Sequence, residues 1–244
     1  MFLSKLRLFR PLLCANKAMM HTKTKTKGLF FYPRMQVHSR GYNVETGDLY
    51  IEDFLDMSQY ITDSNKCEDI AYVYKKYEEL TVDHIAFSFQ RIGKYYFLIF
   101  IGTQNWDRGD EFYETILPRV KSQMKTLDRN CVRSLYKIIE GAAAMRLQDN
   151  EFWEIVEEKL IDNRLHRYLT IDQTCHLVCL LGLVGRGSDE LIELCEKYII
   201  KHRKALTDDN IRIAAEGFKL LDKGSAVLFE VLRDPTRGFK QIKE

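Results

Sequence analysis

Five stretches of the chain have an apolar pattern that predicts an amphipathic helix directly after a Thr-x-Asp tripeptide. In these stretches apolar residues recur mainly at three- and four-residue intervals, as a helix with one buried face requires. The tripeptides begin at Thr46, Thr81, Thr126, Thr170 and Thr207. A threonine at the N-cap accepts a hydrogen bond from a free N–H group, and an aspartate in the first turn favours the positive end of the helix dipole. We expect each tripeptide to start a helix within about two residues, with a capping box at Thr170 because Gln173 follows.

A second apolar helix pattern follows each of the first ones after a short turn. These second patterns begin at Cys67, Phe112, Phe152, Leu191 and Leu228. Each predicted helix pair has an apolar face that only the next pair can cover. The pattern therefore predicts an all-α fold, an α-solenoid of about five helix-pair repeats over residues 46–233. An extended basic arm over 1–45 precedes it, and a short tail over 234–244 follows.

Composition supports an all-helical protein with a core. Hydrophobic residues make up 45% of the 244 residues, which excludes a disordered chain. Only 13 glycines and 4 prolines are present, too few for the frequent turns of a β-sandwich. The six cysteines show no paired spacing and indicate a reducing compartment. The longest apolar run covers residues 95–101, far short of a membrane span, so we expect no transmembrane segment.

Charge is distributed unevenly between the arm and the rest of the chain. Residues 1–45 contain nine Lys or Arg and a single acid, Glu45, whereas residues 46–244 contain 28 basic and 34 acidic residues. The first ten residues alternate bases with large apolar side chains, which is typical of a mitochondrial transit peptide. Arg7 and Arg10 interrupt the apolar run that a secretory signal needs, and a basic tail that is merely solvated is the alternative. We therefore expect the protein to be located in the mitochondrial matrix or on the matrix side of the inner membrane.

No set of residues has the spacing of a catalytic, cofactor-binding or metal site. Cys175 and Cys179 lie one helical turn apart on an apolar face without a second ligand pair, which indicates buried thiols. The six histidines are dispersed. The glycines at 182, 185 and 187 lack the preceding strand and the Gly-Lys-Ser/Thr ending of a phosphate loop, and so predict a turn between helices. We expect a protein that is not an enzyme and that has no cofactor.

Two groups of basic residues are the candidate contacts to RNA or to a protein partner. The groups are Arg129, Arg133 and Lys137, spaced to share one helix face, and Lys201, Arg203 and Lys204. Such side chains bind phosphates when they line a repeated surface. The acidic excess of residues 46–244 instead favours a solvated or protein-facing role.

The blocks that begin Leu169-Thr-Ile-Asp and Leu206-Thr-Asp-Asp resemble the helical repeats of mitochondrial FAST-kinase-type and octotricopeptide-type proteins. The resemblance covers residues 46–233 and rests on a loose motif. It implies either an organellar RNA-binding factor or a lineage-specific accessory subunit of a mitochondrial ribosome, respiratory complex or ATP synthase. The nuclease-like domain that the RNA-processing members commonly carry has no counterpart after the last predicted helix, which disfavours an enzymatic role on RNA.

These observations favour a non-catalytic accessory subunit of a large mitochondrial assembly. A respiratory-chain or ATP-synthase complex is preferred over the ribosome because residues 46–244 are acidic. The expected partners are other protein subunits, with a peripheral membrane association through the complex. A mitochondrial ribosomal protein or an RNA-binding repeat factor is the alternative.

Overall fold

A computed structural model describes residues 41–42, 49–50, 54–64, 67–100 and 111–234 of the chain. The chain divides into two compact units, Met1–Gly41 and Tyr42–Glu244, and the second contains every helix described below. The predicted transit peptide and most of the basic arm lie outside the described residues, as does the C-terminal tail after residue 234.

Ten α-helices account for most of the described residues. They are α1 (Phe54–Asp63), α2 (Cys67–Lys76), α3 (Val82–Phe100), α4 (Leu117–Met124), α5 (Val132–Ala144), α6 (Asn150–Ile161), α7 (Ile171–Val184), α8 (Asp189–Lys201), α9 (Asp208–Leu221) and α10 (Ala226–Arg233). A π-helical turn, Phe112–Ile116, leads into α4. Two strands of two residues each, Gly41–Tyr42 and Leu49–Tyr50, form a small sheet. The structure thus confirms the all-helical prediction, whereas the solenoid arrangement stays a prediction.

In three of the five Thr-x-Asp tripeptides the threonine caps a helix, as predicted. Thr170 forms the full capping box, since its hydroxyl accepts from the Gln173 N–H and its own N–H donates to the Gln173 side chain. Thr207 caps α9 through the Asn210 N–H. At the start of α3, the Thr81 hydroxyl accepts from the His84 N–H, and the His84 ring returns the bond by accepting from the Thr81 N–H. In this last case a histidine takes the place of the usual Glu or Gln.

The prediction at Thr46 was wrong, and at Thr126 the capping residue was wrong although a helical turn begins at Arg129, directly after the tripeptide. Leu49 and Tyr50, which we expected in the first turns of a helix, form a strand, and α1 begins only at Phe54. The Thr126 hydroxyl donates to the Gln123 carbonyl at 2.8 Å and thus belongs to the end of α4. Asp128 takes over as the N-cap of the next turn, accepting from the Asn130 N–H at 2.9 Å.

The turns after α7 and α9 end their helices in two ways. Gly185 terminates α7 in the left-handed region, and Ser188 caps α8, as the sequence indicates. After α9 the left-handed residue at the helix end is Asp222, and Ser225 caps α10. Asp tolerates this conformation better than most residues other than Gly because its short side chain can bond locally.

The first helices of successive pairs pack side by side, and two contacts bring their backbones together at glycines. A Cβ atom added to Gly93 of α3 would lie 2.7 Å from the Gly141 carbonyl oxygen of α5. A Cβ atom added to Gly217 of α9 would lie 2.6 Å from the Cys179 nitrogen of α7. Real side-chain carbons do not come this close to backbone atoms, so only glycine permits these crossings.

The second helices contact one another in chain order, as do the first. The π-helical turn before α4 packs on α2, α6 packs on α4, and α8 packs on both α6 and α10. Between the two sets of helices lies one continuous apolar core. Phe89 of α3 is fully buried there, with its ring centroid 5.9 Å from those of Phe112 and Phe152. None of the described helices is both long and apolar enough to cross a membrane.

Candidate partner-contact edge

Three short 3₁₀ turns precede three successive first helices. Arg129–Cys131 leads into α5, Leu165–Tyr168 precedes α7, and Arg203–Ala205 precedes α9. Helices α7 and α9 run parallel, since residues near their starts bond each other and residues near their middles meet at Gly217. Tyr136 of α5 in turn lies within electrostatic range of Asp172 and Cys175 near the start of α7. The three turns therefore follow one another along one edge of the helix array.

Basic side chains are concentrated in and next to these turns, and we call them the basic edge. It consists of Arg129, Arg133, Arg164, Arg167, Lys201, Arg203 and Lys204. Six of the seven are exposed, and Arg203 is half-buried with its Nη1 3.5 Å from the Ile200 carbonyl. Among the described residues, the six exposed side chains form no hydrogen bond or ion pair. Their charges are therefore available to an external anion.

Carboxylates share this edge, but most of them are engaged within the protein. Asp128 accepts the N-cap hydrogen bond, and this bond lowers the pKa of its carboxyl. Asp172 accepts from the Asn210 amide at 2.6 Å, and Asp209 pairs with Arg212 at 3.0 Å. Asp162 and Asp208 are exposed at the same edge. The edge thus has a modest excess of positive charge, with its free cations on the turns.

Lys137 follows Arg133 by one turn of α5, and its ammonium group packs on α3. Its Nζ is 4.3 Å from the centroid of the Phe87 ring on α3, and burial together with the nearby Arg133 lowers the pKa of its ammonium group. Arg129 belongs to the 3₁₀ turn, since α5 begins only at Val132. The structure therefore places the Lys137 side chain, which is half-buried, in the packing of α3 on α5, whereas Arg129 and Arg133 are exposed.

Two residues of the basic edge, Arg164 and Arg167, were missed by the sequence analysis. They lie six and three positions before Thr170, and Lys201 and Lys204 lie at the same distances before Thr207. This shared spacing is a signal in the sequence itself. The structure explains it, because in each pair one residue lies before the 3₁₀ turn that precedes a first helix and the other lies within that turn.

The two cysteines expected to be buried thiols are buried. Cys175 and Cys179 are at most 1% exposed, and burial raises the pKa of Cys175 to about 12 and that of Cys179 to about 11. Such thiols remain protonated at neutral pH, which makes them poor nucleophiles and poor metal ligands. No group of three or more His, Cys, Asp or Glu side chains within the described ranges could hold a metal ion.

Three described histidines have structural hydrogen bonds. Besides the cap at His84, the Nδ1 atom of His166 lies 2.6 Å from the Leu160 carbonyl, and that of His202 lies 2.9 Å from the Tyr198 carbonyl. His176 is half-buried, and burial lowers the pKa of its imidazole.

No model of a protein family matches the chain, and a search of curated proteins finds no match.

Proposed function

We propose that this protein is a non-catalytic accessory subunit of a large mitochondrial assembly, with a respiratory-chain or ATP-synthase complex as the favoured host. The observation that carries the proposal is the order of helix packing, in which first helices contact first helices and second helices contact second helices along the chain. Such stacking is how helix-pair repeats build an α-solenoid, whose extended faces bind other proteins. The proposal accordingly includes about five repeats over residues 46–233.

Charge supports a role in binding other macromolecules. The arm over residues 1–45 has an excess of eight positive charges, and the basic edge presents six exposed cations that pair with none of the described residues. Exposed charges of this kind contribute mainly to association rate and specificity, while buried apolar contacts hold an assembly together. A subunit that packs into its host through helix faces and is oriented by its basic edge fits both features.

The test is affinity purification of the tagged protein from mitochondria, followed by identification of the proteins that accompany it. The proposal predicts that subunits of one assembly are recovered together at moderate salt, because apolar contacts are not screened. A double variant of the basic edge, Arg167→Glu with Lys204→Glu, should recover less of the assembly. The matched control is Lys94→Glu with Lys219→Glu, which reverses two exposed cations in the later turns of first helices, far from the helix starts that form the edge.

The second candidate is a mitochondrial ribosomal protein or RNA-binding repeat factor, and the alignment of three basic turns along one edge favours it. Cations at regular intervals suit a phosphate backbone. In that case binding to ribosomal RNA fragments should weaken steeply between about 50 and 200 mM salt, and the Arg167→Glu and Lys204→Glu variant should reduce the salt dependence. Weak binding at low salt that disappears when residues 1–45 are removed would count against this candidate.

A further inference from the structure

The helix array contains two closely similar pairs of first helices, α3 with α5 and α7 with α9. In the first pair, the Ser134 hydroxyl donates to the Asp83 carboxylate at 2.5 Å. In the second, the Asn210 amide donates to the Asp172 carboxylate at 2.6 Å. Asp172 lies 89 residues after Asp83, and Asn210 lies 76 residues after Ser134. The two hydrogen bonds therefore occupy matching places in the two pairs.

The glycine crossings repeat with the same two offsets. Gly182 lies 89 residues after Gly93, and Gly217 lies 76 residues after Gly141. Each pair is thus held by a polar bond near the helix starts and by backbone contact further along. Such close approach gives extensive packing in both pairs, since small residues let the helices interdigitate along their length.

The contact between α5 and α7 lacks both the polar bond near the helix starts and the glycine crossing. These two helices pack much less extensively on each other than either does within its own pair. No side-chain hydrogen bond joins α5 to α7 within the described part of the chain, and no glycine of one meets the backbone of the other there. We call this contact the seam.

Tyr136 of α5 is a polar group at the seam. It is half-buried, and Asp172, Cys175 and Cys179 of α7 lie within electrostatic range of it. Burial raises the pKa of its phenol, which reports a polar group that has lost part of its hydration. A tight helix contact would place an apolar side chain here.

Beyond α5 and α7, the polar bonds across the seam come from residues at its rim. The Arg186 guanidinium donates to the Asn150 side chain at 2.6 Å, and the Ser188 N–H donates to the Glu157 carboxylate at 3.0 Å. These donors and acceptors are exposed or half-buried, so water can replace them when they separate. Separating the helices at the seam therefore costs less free energy than separating the two helices of a pair.

We infer that the described helices form two cooperative units, residues 54–161 and residues 171–233, which open from each other at the seam before either unit loses its own helix pairs. Arrays of stacked helices have stability that is a sum of local terms, so a weak interface between two tightly packed pairs divides the array there. The seam gives a stacked protein one defined place to open or bend while each half keeps its shape. The inference does not depend on which partner the protein binds.

Hydrogen exchange of the full-length protein, read by mass spectrometry, tests the inference with two matched variants. Ser134→Ala removes the bond between Ser134 and Asp83 in the first pair, and Asn210→Ala removes the bond between Asn210 and Asp172 in the second. Each loss should speed exchange by roughly two- to tenfold, the effect of one net hydrogen bond. We expect Asn210→Ala to accelerate exchange in α7 and α9 and leave α3 and α5 unchanged, and Ser134→Ala to do the reverse. A uniform response over both units to either variant would overturn the inference.

A second measurement on the unmodified protein keeps the inference testable if a variant fails to fold or has no effect. Hydrogen exchange is measured at a series of increasing urea concentrations, all too low to unfold the protein. The inference is supported if peptides of residues 54–161 converge on one opening free energy and those of residues 171–233 on another. Convergence of all peptides on a single value would overturn it.

Discussion

The crossing of α7 and α9 makes Gly217→Ala a decisive substitution. The new Cβ atom would lie 2.6 Å from the Cys179 nitrogen and 2.7 Å from the Cys179 Cα, whereas ordinary contact begins near 3.4 Å. Both neighbours are backbone atoms, which cannot rotate away, so the two helices must separate by about 1 Å. Overpacking of this kind costs about 1–3 kcal/mol or more.

Helix propensity acts in the opposite direction at this position. Replacing a glycine in a helix interior by alanine ordinarily stabilises by about 1 kcal/mol. We expect the crowding to exceed this gain and the variant to lose about 1–3 kcal/mol, which lowers the melting temperature by about 2–10 °C for a chain of this size. Urea unfolding and thermal melting followed by circular dichroism measure both quantities.

A control in the same helix separates the two effects. Ala215→Gly, two residues earlier, lowers the helix propensity without crowding a neighbouring backbone. It should lower the free energy of unfolding by about 1 kcal/mol. If Gly217→Ala were as stable as the unmodified protein, or more so, propensity would dominate. The close approach of α7 and α9 would then be refuted.

Three further predictions concern caps, core and pH. Thr170→Ala should cost about 1 kcal/mol in urea unfolding because it removes a capping box, whereas Thr126→Ala, at a threonine that caps no helix, should be close to neutral. Leu180→Asp places a carboxylate in the core at a residue that is 1% exposed, and it should lower the free energy of unfolding by several kcal/mol. Circular dichroism should show the loss of more than one helix, and full retention of helix would contradict this. Burial raises the pKa of Cys175 and Cys195 from about 9 to about 12, so the folded state holds protons that the unfolded chain releases, and stability to urea should fall as pH rises above about 9; a flat profile would contradict this.

Local signals in the sequence predicted most of the helices. Thr170 and Thr207 are correct because a cap and its partner lie within three residues of each other, and the second helices at Cys67 and Leu191 are correct because one apolar face runs through each. The prediction that Thr126 caps the next helix is wrong because the same side chain can equally well bond a carbonyl at the end of the preceding helix. A short tripeptide cannot distinguish these two environments.

The way the helices pack against one another could not be predicted from a local sequence pattern. Gly93 and Gly141 are ordinary helix-interior residues in the sequence, and only the crossing of α3 and α5 shows why each lacks a side chain. The basic edge was found in part for the same reason, since Arg129 and Lys204 are 75 residues apart and share an edge only because their helices run parallel. The shared spacing of Arg164 and Arg167 before Thr170 could have been found by aligning the chain with itself.

Sedimentation of a mitochondrial extract, with and without ribonuclease, tests the proposed function most directly. The tagged protein would be followed through a density gradient at moderate salt, together with ribosomal RNA and the proteins found by affinity purification. We predict that it sediments in a large protein assembly whose position is unchanged by ribonuclease, because helix faces rather than phosphates hold it. Migration with ribosomal RNA that ribonuclease abolishes would contradict the proposal and favour the RNA-binding alternative.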